Sequence, residues 1–148
     1  MIWTIRRVQA SDRPEWLRMR HALWPEESIE DLILDSQVWL REEHCVAFVA
    51  ERHADGMCGF LEVAIRPCNV DGEQGRFGYI EGWYVDPDLR EQGIGKLLVS
   101  VAETWAAEQN CHEILSDARI ENSLSHTAHQ ALGFTEVERL IHYRKRLG

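Results

Sequence analysis

No stretch of this 148-residue chain restricts its fold as much as Tyr79–Leu97. Phe77–Val85 alternates as a strand does, and Asp86-Pro87 ends it, because proline cannot donate to a ladder. Arg90-Glu91-Gln92-Gly93-Ile94-Gly95-Lys96 then leads into a helix that opens at Gly93 or Ile94 and runs to about Gln109. Leu97, Leu98, Val101 and Trp105 fall on one face of it. Glycines here let backbone N–H groups approach an anion, and the helix N-terminus adds unpaired donors and a positive dipole end. Such a nest suits a pyrophosphate. The dinucleotide fingerprint is absent, since its third glycine would fall at Leu98, and the P-loop spacing and hydroxyl are missing too. From this stretch alone, a glycine-rich turn with no ligand stays open as the alternative.

The rest of the chain supplies the layers. Ile2–Val8 reads as a strand. Ser11-Asp12 can cap a helix through about Trp24, with Trp16, Leu17, Arg20 and Leu23 along it, and Pro25 stops it. Ser28–Leu40 is a second amphipathic helix with Ile29, Leu32, Ile33 and Val38 inward. Cys45–Arg52 and Met57–Arg66 are strands around an Ala54-Asp55-Gly56 turn, and Pro67–Arg76 reads as an exposed loop. Glu113–Asp117 is a short strand. Asn122 or Ser123 caps a helix to Leu132, with Gly133 at its C-terminal end. Phe134–Arg146 gives a final strand or strand pair. The order β-α-α-β-β-β-α-β-α-β predicts an α/β (α+β) fold, a mixed sheet with helices on both faces. The length fits one domain, 1–148.

A formal net charge of −9 repels phosphate backbones, so no nucleic-acid partner is expected; a cationic ligand, or simple solubility, fits better. Cys45, Cys58, Cys68 and Cys111 form no C-x-x-C pair, and no His/Cys cluster has zinc spacing, so no metal is expected. MIWTIRRV has no apolar signal core, and no apolar run approaches the roughly 20 residues that span a bilayer. No membrane partner and a reducing cytoplasm are the expectations.

Val85-Asp86-Pro87-x-x-Arg90-x-x-Gly93-x-Gly95-x-x-Leu98 resembles the acetyl-CoA motif of the GCN5-related N-acetyltransferase superfamily. Asn122, Ala128 and Leu132-Gly133-Phe134 resemble that superfamily's following helix and the start of its last strands, so the likeness covers nearly the whole chain. A narrower set is similar to bacterial aminoglycoside 6′-N-acetyltransferases. It comprises Leu23-Trp24-Pro25, Ala64-Ile65-Arg66, Asn69-Val70-Asp71-Gly72, Glu81-Gly82-x-Tyr84-Val85, Ser116-Asp117, Glu121-Asn122, His129–Phe134 and Tyr143–Arg146.

The resemblance implies a mostly antiparallel sheet with a splayed central strand, acetyl-CoA as acetyl donor, and a small polycationic amine as acceptor. It implies cofactor contacts at Trp83, Tyr84 and Val85, along Arg90–Lys96 and at Asn122. Substrate contacts fall on Trp24, Glu81, Asp117 and Glu138. Two further family contacts, a His and a Tyr, are replaced here by Glu27 and Asn69. A homodimer is implied, paired through C-terminal strands. The chemistry needs a neutral amine, which makes Glu81 the candidate base and Asp117 the second. Many relatives place an acidic tyrosine where this chain has His129. Two competing readings are an acetyltransferase for a polyamine or other small amine, and a non-catalytic acyl-CoA-binding module.

Overall fold

The computed structural model describes residues 2–148, so Met1, where the expected domain begins, lies outside them. Five strands form one sheet in sequential order: β1 (Ile5–Arg7), β2 (Cys45–Glu51), β3 (Met57–Val70), β4 (Glu73–Val85) and β5 (Ile114–Ser116). The first four pair antiparallel, and β5 joins β4 in parallel. That pairing lasts only from Gly78 to Ile80, after which β4 runs on without β5 beside it. The sheet is therefore mixed, mostly antiparallel and splayed at β4.

Helices α1 (Arg13–Leu23) and α2 (Ile29–Arg41) cover one face. Ser28 starts α2 by accepting the Asp31 N–H at 3.1 Å. The other face is packed by α3 (Ile94–Glu108), whose Leu98, Ala102 and Trp105 meet Leu61, Val63 and Ile80. The last helix, α4 (Ser123–Ala131), is capped by Asn122, which accepts the Ser125 N–H at 3.1 Å, and Gly133 follows with φ 89°.

Three expectations need correction. Residues 67–76 are not a loop: β3 and β4 continue as a hairpin whose Asp71 (φ 51°) and Gly72 (φ 81°) form a left-handed two-residue turn. Pro67 fits because β2 has already ended at Cys45–Ala64, so its missing N–H faces an unpaired edge. Phe134–Arg146 forms no strand; within one chain it meets no ladder, and Leu140, Ile141 and Tyr143 face solvent. Ile29, Val38 and Leu97 are exposed, because the tertiary contact covers a narrower stripe than periodicity suggests.

Candidate active site

The lead-in to the glycine turn is held at Asp86. Asp86 is buried and donates its N–H to Cys58 O at 2.7 Å. Its carboxylate accepts from Arg18 (3.1 Å to each oxygen) and from Arg52 (3.0 Å). Burial pushes the carboxyl upward, but these bonds and one from Tyr84 outweigh it and hold Asp86 below the ordinary carboxyl range. A depressed carboxyl stabilises the fold above its unfolded pKa, and that contribution is lost as pH falls through the folded one. Asp86→Asn is expected to lower unfolding stability by roughly 1–3 kcal/mol in urea melts at neutral pH. The gap between variant and parent should close only as pH falls below the ordinary aspartate range.

Beyond Asp86 the chain turns through Glu91 (φ 65°) and Gly93 (φ 86°), and Gly93 is the N-cap of α3. A Cβ at Gly93 would meet nothing, so the turn's surface is open. Arg90 Nε donates to Val85 O at 2.9 Å, and Trp83 Nε1 to Gly95 O at 3.2 Å, which ties the turn to β4. The first N–H groups of α3 lack partners within the helix. Since the Asp86 N–H points to β3, alternation turns the Val85 N–H toward the side that β5 has left.

On the opposite face a β-bulge decides where side chains go. β3 alternates without interruption, whereas Glu62 opposes Gly82 and Val63 opposes Ile80, which leaves Glu81 as the extra residue of β4. Ile80 packs with the α3-side core, and so do Trp83 and Val85, so the phase has shifted between them. Gly82 and Tyr84 face α1, and a Cβ at Gly82 would lie 2.7 Å from the Trp24 ring. Glu81 thereby lines a cavity of about 440 Å³ shared with Trp24, Glu27, Asp35, Glu62 and Arg66.

The cavity is acidic but internally paired. Arg66 Nη2 lies 2.5 Å from Glu81 Oε1 and stacks over Tyr79, 4.2 Å from the ring centre. Tyr79 donates its hydroxyl to Asp117 at 2.6 Å. Burial pushes the Tyr79 hydroxyl well up, and the Asp117 carboxylate that accepts its proton adds to it. Deeper in, Arg20 bonds Glu62 and, at 2.5 Å, Asp35, and it stacks beneath Trp24 at 4.9 Å.

The expected residues therefore divide. Trp24, Glu27 and Glu81 line the cavity; Asp117 lies outside its lining and is linked to it only through Tyr79, on whose ring the lining residue Arg66 stacks. Asn69 does not: it pairs with Gln74 out on the hairpin extension. Glu138 lies in the exposed segment after α4. Asn122 commits its side-chain oxygen to capping α4. His129 sits between Trp83 and Phe134, with Nδ1 2.7 Å from Ser125 O and Nε2 2.7 Å from Ser116 Oγ, so both ring nitrogens are engaged. Arg20, Asp35, Glu62 and Arg66 carried no assigned role in the sequence. A charge inside the apolar run Phe60-Leu61-Glu62-Val63 was the available signal for Glu62. Among the described residues, no His, Cys, Asp or Glu group is arranged to hold a metal ion, and no helix is long and apolar enough to cross a membrane.

Residues 10–134 match the model of the Acetyltransferase (GNAT) family. An aminoglycoside N(6′)-acetyltransferase type 1 of Klebsiella aerogenes is 38% identical over 146 residues, covering 97% of this chain and 96% of the relative. One of Serratia marcescens is 40% identical, covering 90% and 92%. The solved AAC(6′)-Iy in complex with the bisubstrate analogue CoA-S-monomethyl-acetylneamine superposes with a TM-score of 0.91 at 32% identity, covering 99% of this chain and 100% of that one. With a splayed β4 running into a glycine turn, and with similarity along nearly its whole length, the chain belongs to the acetyltransferase (GNAT) family, among the aminoglycoside N(6′)-acetyltransferases.

Proposed function

We propose that this chain transfers the acetyl group of acetyl-CoA to the 6′-amino group of aminoglycoside antibiotics, which confers resistance, within one domain spanning 1–148. The observation that carries this reading is the junction on β4. The strand opens an acidic cavity at Glu81 and leads, beyond Val85, to a glycine turn whose geometry suits an anion. Relatives of nearly the same length carry this activity in their names.

Acetyl-CoA supplies an activated acyl carbonyl and a thiolate leaving group. The Arg90–Lys96 turn suits its pyrophosphate, since Gly93 leaves the turn open and α3 begins there with unpaired donors. Trp83, Tyr84, Val85 and Asn122 are its proposed further contacts. The amine arrives as ammonium and loses a proton to Glu81, directly or through one water, with Asp117 as second acceptor. Burial raises the Glu81 carboxyl against the pull of Arg66, and Asp117 and Asp35 raise it further, which makes it a better acceptor. The Val85 N–H is oriented to meet the developing oxyanion. Both His129 nitrogens being occupied, solvent is the proposed proton source for the thiolate.

Trp24, Glu27 and Asp117 are the proposed substrate contacts within one protomer. Asn69 and Glu138 join them only if neighbouring segments come closer, and a homodimer offers a route for Glu138. Its segment carries exposed Val137, Leu140, Ile141 and Tyr143, which suit pairing with a second copy. Four free thiols suit a reducing compartment, and the cytoplasm is the proposed one.

The test is kcat/KM by free-thiol release with kanamycin, tobramycin and gentamicin components, one of them lacking a free 6′-amine. Turnover of all but that compound is expected. Acetylation of that compound would move the reaction to another position, and turnover confined to simple polyamines would replace the substrate class.

A further inference from the structure

We infer that Arg66 is an internal counter-ion, occupying the ammonium position on Glu81 in the substrate-free site and leaving it when a cationic amine enters. The inference rests on the reading of Glu81 as the carboxylate that receives the amine. Three features of Arg66 lead to it. Its Nη2 approaches Glu81 Oε1 to 2.5 Å in a partly solvated pair, the kind of ion pair that contributes little net stability and is readily exchanged. It lies over Tyr79, 4.2 Å from the ring centre, and the Tyr79 hydroxyl donates to Asp117 at 2.6 Å, so the guanidinium touches Glu81 directly and is linked through Tyr79 to the second carboxylate proposed to meet the substrate. Its side chain is 45% exposed, so water can take the cation up when it leaves.

Chemistry explains why an arginine fits this place. The cavity holds Glu81 and Asp35, and Asp117 acts on Glu81 from outside its lining; the repulsion of both on Glu81 favours a compensating cation. A guanidinium stays protonated, so it neutralises the site without becoming an acetyl acceptor. An ammonium on the second oxygen of Glu81 would stand close to the guanidinium. At the effective dielectric of a partly buried site, that repulsion is several times what a half-exposed ion pair contributes. Arg66 therefore gives way, and the amine inherits a carboxylate already ionised and oriented. A neutral or hydrophobic ligand has no means of exchanging with it, which makes the exchange a filter for cations.

The test compares the parent protein with Arg66→Ala and Arg66→Gln, using kanamycin as the probe. By calorimetry both variants should bind kanamycin about three- to fivefold tighter, the amount a half-exposed ion pair can withhold. In kinetics the change should appear in KM more than in kcat. Methylguanidinium should compete with kanamycin more strongly in Arg66→Ala than in the parent, because it refills the vacated place. In the parent, the Arg66 side-chain N–H resonance should lose its shift as kanamycin saturates the site, a readout that needs no variant. Equal or weaker binding by both variants, or an Arg66 resonance unmoved at saturation, overturns the inference. Thiol release by the parent protein is the separate test of acetyl transfer. Silence there with tightened binding leaves the exchange standing, and turnover with unchanged affinity does the reverse.

Discussion

Glu81→Gln is expected to lower kcat/KM for an aminoglycoside by about 10²–10⁴-fold at neutral pH, the range associated with losing a positioned general base. The substitution is nearly isosteric, and Glu81 is the extra residue of a bulge with its side chain in an open cavity, so the fold should survive. Loss of binding and loss of base then separate by pH. An amide cannot take the proton, but raising the pH supplies neutral amine directly, so the variant should recover rate steadily as pH climbs while the parent levels off. If the carboxylate only bound the ammonium, KM would rise and the variant would track the parent's pH profile. Activity within about threefold of the parent, ~0.6 kcal/mol, would remove Glu81 as the essential base.

Glu81 also shows how far residues alone report a site. Its place on the strand and its carboxylate were legible, because strand, turn and glycines are local signals. The bulge was not, since alternation assumes regular pairing, and only the opposition of Glu62 to Gly82 and of Val63 to Ile80 exposes it. Residues 67–76 were missed for a related reason. Asp71-Gly72 is a hairpin signal, but Asn69, Gln74 and Arg76 are polar on an extension that buries little, and periodicity reports burial rather than pairing. Phe134–Arg146 failed in the opposite direction: its alternation is strand-like, but one chain offers no partner edge. Asp35 lies on a helix whose first turn carries Glu30 and Asp31, so it reads as solvated surface. It becomes part of the cavity because Arg20 reaches it from α1, a contact that no spacing rule anticipates.

Arg20 is the side chain whose removal should harm the fold most. It is fully buried, bonds Glu62 on β3 and Asp35 on α2, and lies beneath Trp24. Glu62 is equally buried and keeps one other partner, the Trp16 indole N–H at 2.9 Å. Burial raises its carboxyl to about 7, against the opposing pull of Arg20. Arg20→Met removes that pull and strands a carboxylate in the core, a loss of about 3–5 kcal/mol, or on the order of 10 °C in Tm for a chain of this size. The pH dependence fixes the cause. Without Arg20 the folded Glu62 holds its proton to still higher pH, whereas the unfolded chain releases it in the ordinary carboxyl range. The native state then binds more protons, so stability falls as pH rises through that window, by up to about 1.4 kcal/mol per unit. Melting at mildly acidic pH should therefore bring variant and parent closer, and mildly alkaline pH should separate them. A pH-independent deficit would trace the loss to packing against Trp16 and Trp24 instead. The double variant with Glu62→Met should regain much of the stability, because an apolar pair needs no counter-charge. It should not regain activity to match: Asp35 would have lost its anchor and Trp24 the cation beneath it, and both line the cavity that Glu81 opens.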